Sequence, residues 1–227
     1  MNLNIGKCFF LHYVPQNTNG SYPSYHLGGA ALERRTTASD LGVVIHDSLK
    51  FHNQVDNACK NASRQINTIR RCLKSRNPKF LESMFKIYVR PHLEYCNQVW
   101  NPVNRRDIVA IEKVQNRFSK LLPQSRTMEP PERNRRLNLT SHETRRKRGD
   151  LIYMFKMYES GLFTPSGESR TRGQSKKLSV ERTNNNIRKH SFAIRHVETW
   201  NSLPEAVVEA PSVNVFKARL DSHFSHT

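Results

Sequence analysis

Acidic residues are scarce in this sequence. Its 227 residues hold 19 Asp+Glu against 37 Lys+Arg, a formal net charge of +18 with His neutral. That shortage argues against an ordinary soluble metabolic enzyme and points to a polyanionic partner, nucleic acid ahead of an anionic membrane surface. The aspartates are Asp40, Asp47, Asp56, Asp107, Asp150 and Asp221; no two are adjacent, and none lies within two residues of a Glu. A local carboxylate signature for two-metal phosphoryl transfer is therefore missing. Long apolar runs are missing as well. The longest near the N-terminus, Cys8-Phe9-Phe10-Leu11, falls far short of the roughly 18 residues of a membrane span and has no basic leader. The four cysteines form no C-x-x-C pair, which reads as reduced, intracellular thiols. No G-x-S-x-G elbow, P-loop or dinucleotide-binding glycine pattern occurs. With 36% hydrophobic residues, the core is lean, and the length suits one domain or two small ones.

The charge is spread along the chain rather than gathered in a tail. Residues 1–40 carry +1, 41–100 carry +6, 101–150 carry +7 and 151–227 carry +4. Interleaved with apolar residues at helical spacing, it is expected to decorate folded helices. The first 45 residues read as a small β element: Phe9 to Val14, Tyr25-His26-Leu27 before Gly28-Gly29, and Leu41 to Ile45. The clearest helix spans 51–74. Phe51, Val55, Ala58, Cys59, Ala62, Ile66, Ile69 and Leu73 share one face, Lys60, Arg64 and Arg71 the opposite one, and Arg70 and Lys74 flank the latter. Asn77-Pro78 opens a second helix, which Pro91 should kink or interrupt. A third runs from about Asn104 to Leu122, and Pro130-Pro131 starts a short turn of helix. Thr140-Ser141-His142-Glu143 fits a capping box with Thr140 as N-cap, leading a helix to about Tyr158 with Gly161 as its stop. Residues 161–187 read as a loop with one short strand near Leu178-Ser179-Val180. A helix from Ser191 to Trp200 and a last one from Ser212 complete the chain.

Few side chains offer chemistry. His92 and Cys96 are four apart, and His223-x-x-His226 ends the chain, but zinc sites use paired short spacings. Cys96 as a core residue is the simpler reading, with Cys8, Cys59 and Cys72 as small apolar fillers. Trp100 and Trp200 are expected in the core. The basic clusters are the positive signal. Arg145-Arg146-Lys147-Arg148 sits in the first half of a helix, the end where the macrodipole disfavours cations. A preference broken four times suggests phosphate contact or a nuclear-import signal. Arg133, Arg135 and Arg136 lie just upstream.

The order of several short motifs resembles a known family. Asn4-x-x-Lys7-Cys8, His26-Leu27-Gly28-Gly29, Asp40-Leu41-Gly42-Val43 and Leu49-Lys50-Phe51 resemble the end of the palm of non-LTR (LINE-type, jockey-like) retrotransposon reverse transcriptases. Arg90-Pro91-His92-Leu93-Glu94-Tyr95, Val99-Trp100-Asn101-Pro102 and Ile111 to Arg117 resemble the thumb beyond it. Arg148-Gly149-Asp150-Leu151, Thr171-Arg172-Gly173, Trp200-Asn201-Ser202-Leu203-Pro204 and Phe216-Lys217-x-Arg219-Leu220-Asp221 continue the series toward the C-terminus. Together they cover roughly residues 2–221. The resemblance implies that Leu41 and Gly42 form a primer-grip-like turn and that the helices from residue 51 clamp a template–primer duplex through phosphates. The family's Phe/Tyr-x-Asp-Asp hairpin lies N-terminal to the Asn-x-x-Lys-Cys stretch, so the chain is expected to be a truncated copy that does not polymerise alone. No metal site and no cofactor are expected for it, Mg²⁺ belonging to the intact polymerase.

The expected fold is mainly α: a helical, thumb-like bundle behind a small β element that is the remnant of a palm. The expected divisions are 1–47 for the β element, 48–160 for the thumb-like domain, 161–187 for a basic linker and 188–227 for a C-terminal helical region. The expected nucleic-acid contacts are Lys60, Arg64, Arg70, Arg71, Lys74, Arg133, Arg135, Arg136, Arg145, Arg146, Lys147 and Arg148. The expected partners are RNA or DNA without sequence preference and no membrane, with an intact copy of the element's protein as a further candidate, in an intracellular, nuclear setting. The rival expectations are a basic helical nuclear scaffold binding a protein through its apolar faces, and a degenerate frame whose unpaired strand edges aggregate.

Overall fold

A computed structural model describes residues 4–13, 23–163, 165–166 and 174–225. The chain is mainly helical, with a small β element ahead of the helices. Val14, the polar turn at 16–20, Thr171-Arg172-Gly173 and His226 lie outside the described residues.

Among the described residues, six short strands form three two-stranded sheets. β1 (Phe9–Phe10) pairs in parallel with β4 (Glu33–Arg34), and β2 (His26–Leu27) pairs antiparallel with β3 (Ala30–Ala31) around Gly28 and Gly29. β5 (Thr37–Asp40) and β6 (Val43–His46) form a hairpin in which Asp40 faces Val43. Leu41 and Gly42 both have positive φ (46° and 81°), as a two-residue type I′ turn requires. The strand expected at Leu41 thus begins two residues later, because its first two residues are the turn.

α1 (His52–Cys72) buries Val55, Ala58, Ala62, Ile66 and Ile69, the three-and-four repeat of the sequence. α2 (Pro78–Met84) is capped by Asn77, whose side chain accepts from the Lys79 and Phe80 amides at 3.0 and 3.4 Å. Pro91 does not break the helical path. A single π-turn, Phe85–Val89, widens the helix before α3 (Arg90–Glu94), absorbing the proline's missing donor and its bulk. The chain then turns through Cys96 at φ 56° into α4 (Asn97–Trp100) and α5 (Arg105–Ser119). α6 (Pro130–Arg136) starts at the Pro-Pro pair.

α7 (His142–Glu159) corrects the expected cap by one residue. Ser141, not Thr140, is the N-cap, and its Oγ accepts from the Thr144 amide at 3.1 Å. Glu143 does not close the box; Glu112 of α5 instead accepts from the His142 and Glu143 amides at 2.7 and 3.3 Å. A carboxylate from another helix thereby supplies the negative charge this N-terminus needs. Gly161, at φ 73°, stands just past its end. Beyond it, Pro165 and Leu178 form one isolated bridge, and α8 (Asn186–Lys189), α9 (Phe192–Arg195), α10 (Val197–Asn201), α11 (Glu205–Val208) and α12 (Val213–Ser225) complete the described chain. The helix expected from Ser191 to Trp200 is two pieces, parted at His196.

Two apolar cores result, and they part inside α7 rather than near residue 160. The first joins Val43, Ile66, Phe85, Trp100, Ile111, Phe118 and neighbours. The second starts at Leu151 and gathers Met154, Phe155, Trp200, Phe216 and Leu220, with Phe155 stacked on Phe216 at 4.4 Å. Both tryptophans are fully buried, in keeping with their apolar neighbours in the sequence. At the seam, Asp150 is fully buried, and its Oδ2 accepts from Arg195 Nε at 2.8 Å and lies 3.1 Å from His196 Nε2. Arg195 Nη1 also donates to the Gln98 carbonyl at 3.0 Å, so one guanidinium ties α7, α9 and the end of α4 together.

Candidate nucleic-acid interface

The α1 cations stand where the periodicity puts them. Lys60, Arg64, Arg70, Arg71 and Lys74 are all exposed. At 100° per residue, Lys60, Arg64 and Arg71 fall within about 40° of one another, with Asn67 beside them; α1 ends at Cys72, two residues short of the expected helix, so Lys74 lies beyond it. Asp56 is the only acid on α1.

The structure sets a second stripe beside the first. Arg106, Lys113, Arg117 and Lys120 are exposed, and they fall within about 60° of one another. Both α5 acids face elsewhere: Asp107 is buried against His52, and Glu112 caps α7. α1 and α5 run parallel. His52 Nδ1 lies 2.5 Å from Asp107 Oδ2 at their N-terminal ends, and Arg117 Nη2 donates to Asn67 Oδ1 at 2.9 Å further along. That hydrogen bond joins the two stripes into one basic strip. Among the described residues none of its cations is paired with a carboxylate. The α5 half was not among the residues expected from the sequence, although its three-and-four spacing is there.

The basic cluster at 133–148 is arranged differently. Arg133 is 5% exposed; its Nε donates to Ser119 Oγ at 3.1 Å and its Nη1 to the carbonyls of Ser125 (3.3 Å) and Met128. It is an internal clamp on the 120–128 loop, not a phosphate contact. Arg135 and Arg136 are exposed, Arg136 lying 3.3 Å from Glu132 one turn back. Arg145 holds Glu94 in a two-point pair at 2.5 and 2.9 Å. Arg146 is 4% exposed, and burial pushes its pKa down against the pull of Glu112, Glu143 and Asp150. Arg148 pairs with Asp221 of α12 at 2.5 and 2.7 Å, which holds that carboxyl below its usual range. Lys147 Nζ sits 5.6 Å from the Phe224 ring centre. Arg145, Lys147 and Arg148 thus fasten α7 to α3 and α12, while Arg146 is buried with its Nη1 lacking a hydrogen-bond partner.

Leu41 and Gly42 form the tip of the β5–β6 hairpin, with Leu41 84% exposed. Tyr95 Oη donates to the Leu41 carbonyl at 3.0 Å, fixing that tip beside α3.

Little else invites chemistry. Burial, with Asp56 and Asp107 nearby, pushes the Cys59 thiol up to about 11, so it stays protonated at neutral pH. Among the described residues no group of three or more His, Cys, Asp or Glu side chains is placed to hold a metal ion. No described helix is long and apolar enough to cross a membrane. The chain matches no protein-family model, no curated protein and no solved structure.

Proposed function

We propose that the chain binds nucleic acid along the α1/α5 strip, holding phosphates without reading sequence. Following the motif order, we read it as the duplex-holding part of a non-LTR reverse transcriptase: end of palm, thumb and C-terminal region, not polymerising alone. One observation carries the binding reading. The cations of 133–148 are largely consumed inside the protein, whereas those of α1 and α5 face outward, side by side, without carboxylate partners. An import-signal reading of Arg145–Arg148 has less support, because the run is helical and Arg146 is buried.

The test is charge reversal. The triple variant K60E/R64E/R117E should lower affinity for a 20-base-pair duplex by about 100-fold at physiological salt, through lost phosphate neutralisation. The off-strip pair R135E/R136E should stay within about threefold of the parent. A template-extension assay with Mg²⁺ should detect no synthesis. Unchanged affinity in the triple variant would remove the strip, and template-dependent synthesis would remove the non-polymerising assignment.

A further inference from the structure

At the N-terminal ends of α1 and α5 the two cores leave a cleft of about 260 Å³. Its walls are apolar, with Phe51, Val99, Val103 and Ile187 among them. Three of these are large aliphatics left open to water: Val99 is 52% exposed, Val103 43% and Ile187 51%. Scattered singly such residues need no explanation; converging on one cleft, they suggest an occupant.

Polar side chains share the lining, Lys50, Asn101, Asn186 and His190 among them, and the Asn101 and Asn186 side-chain amides have no hydrogen-bond partner among the described residues. At its inner end Asp107, 5% exposed, is engaged by His52 Nδ1 at 2.5 Å, and Asn104 Nδ2 lies 3.3 Å from His52 Nε2. The carboxylate lining the cleft thus lies against a histidine ring.

Apolar side chains lining the cleft together with unengaged amides suit a flat heteroaromatic ring carrying donors and acceptors around its rim. Each amide presents both a donor and an acceptor, the pattern that base edges require. The volume falls just below the roughly 300–1,000 Å³ of drug-sized ligand sites, room for one ring system and not for a partner helix. The location narrows the ligand further. His52 and Lys60 are eight residues apart on α1, about 12 Å along the axis. Exposed Arg105 and Arg106 adjoin Asn104 on the first turn of α5. A strand whose phosphates track the strip is thus led to the mouth of the cleft.

We infer that this cleft takes one unstacked base of a single-stranded nucleic acid lying on the α1/α5 strip; the inference rests on the strip being a nucleic-acid surface. The experiment compares a single-stranded 12-mer with its fully abasic counterpart, which keeps the phosphates and lacks the bases, on the full-length chain. The base-bearing strand should bind about 10-fold more tightly, within the range of one well-placed base contact. The V103W variant, at a half-exposed position, should fill the cleft and erase that gap while leaving abasic binding unchanged. N101A should narrow the gap. K60E/R64E should weaken both strands together. Equal affinity of the two strands, or a gap that V103W leaves intact, overturns the cleft alone. Failure of the unsubstituted chain to bind either strand overturns the strip and the cleft together.

Discussion

Replacing Arg195 by Met should uncouple the two cores. Its side chain is 5% exposed and faces Asp150, whose side chain is 1% exposed; the Nη2–Oδ2 and Nε–Oδ2 distances are both 2.8 Å. Methionine keeps the bulk and removes the charge together with the bond to the Gln98 carbonyl, leaving Asp150 Oδ2 with His196 Nε2 at 3.1 Å. Breaking one side of a buried pair costs about 3–5 kcal/mol, because the remaining charge is stranded. For a chain of this size that is a fall of about 10 °C in Tm. The double variant D150N/R195M should recover about 1–2 kcal/mol of the loss, since no charge is left behind. The chain's two tryptophans make the assay direct: Trp100 belongs to the first core and Trp200 to the second. Urea unfolding monitored by fluorescence in W100F and W200F backgrounds should give one shared transition with Arg195 present and two separated ones in R195M. A cost below about 1 kcal/mol with the transitions still superimposed would refute the reasoning.

Histidine and arginine inside the first core give two more expected outcomes. His142 is fully buried, and burial plus Arg146, Arg145 and Arg90 push its pKa down to about 3. Since the unfolded chain binds that proton near pH 6.5 and the folded one does not, stability should fall as pH drops through the window between 6.5 and 3. Between pH 6.5 and 5 the loss is about 2 kcal/mol, and H142L should remove that slope in urea midpoints. R133M should cost about 2–4 kcal/mol in thermal unfolding, from its lost hydrogen bonds inside the fold, while duplex affinity changes less than about twofold.

The contrast between Arg133 and Lys60 shows what local pattern can and cannot reveal. The burial of α1's apolar face and the Pro-Pro start of α6 arise from spacings within a few residues, and both were legible, whereas Leu41 and Gly42 read as the start of a strand and are its turn. The fate of the arginines was not. Arg145 meets Glu94 across 51 residues of sequence, Arg195 meets Asp150 across 45, and Arg148 meets Asp221 across 73. Nothing in the neighbourhood of Arg145–Arg148 distinguishes a cation bound for an internal pair from one bound for solvent. The π-turn before Pro91 is of the same kind: the proline announces a problem, and the packing of Phe85 and Val89 into the first core selects widening over breakage. The α5 stripe is a different case, since its signal was local.

The central claim is that the outward cations of α1 and α5 neutralise phosphates. The most direct measurement is the salt dependence of duplex DNA affinity for the full-length chain and for K60E/R64E/R117E. With about six phosphates neutralised, log K should fall against log salt with a slope near −5, and the triple variant should have a slope shallower by about 3. A slope near zero, or one that the three reversals leave unchanged, would contradict it.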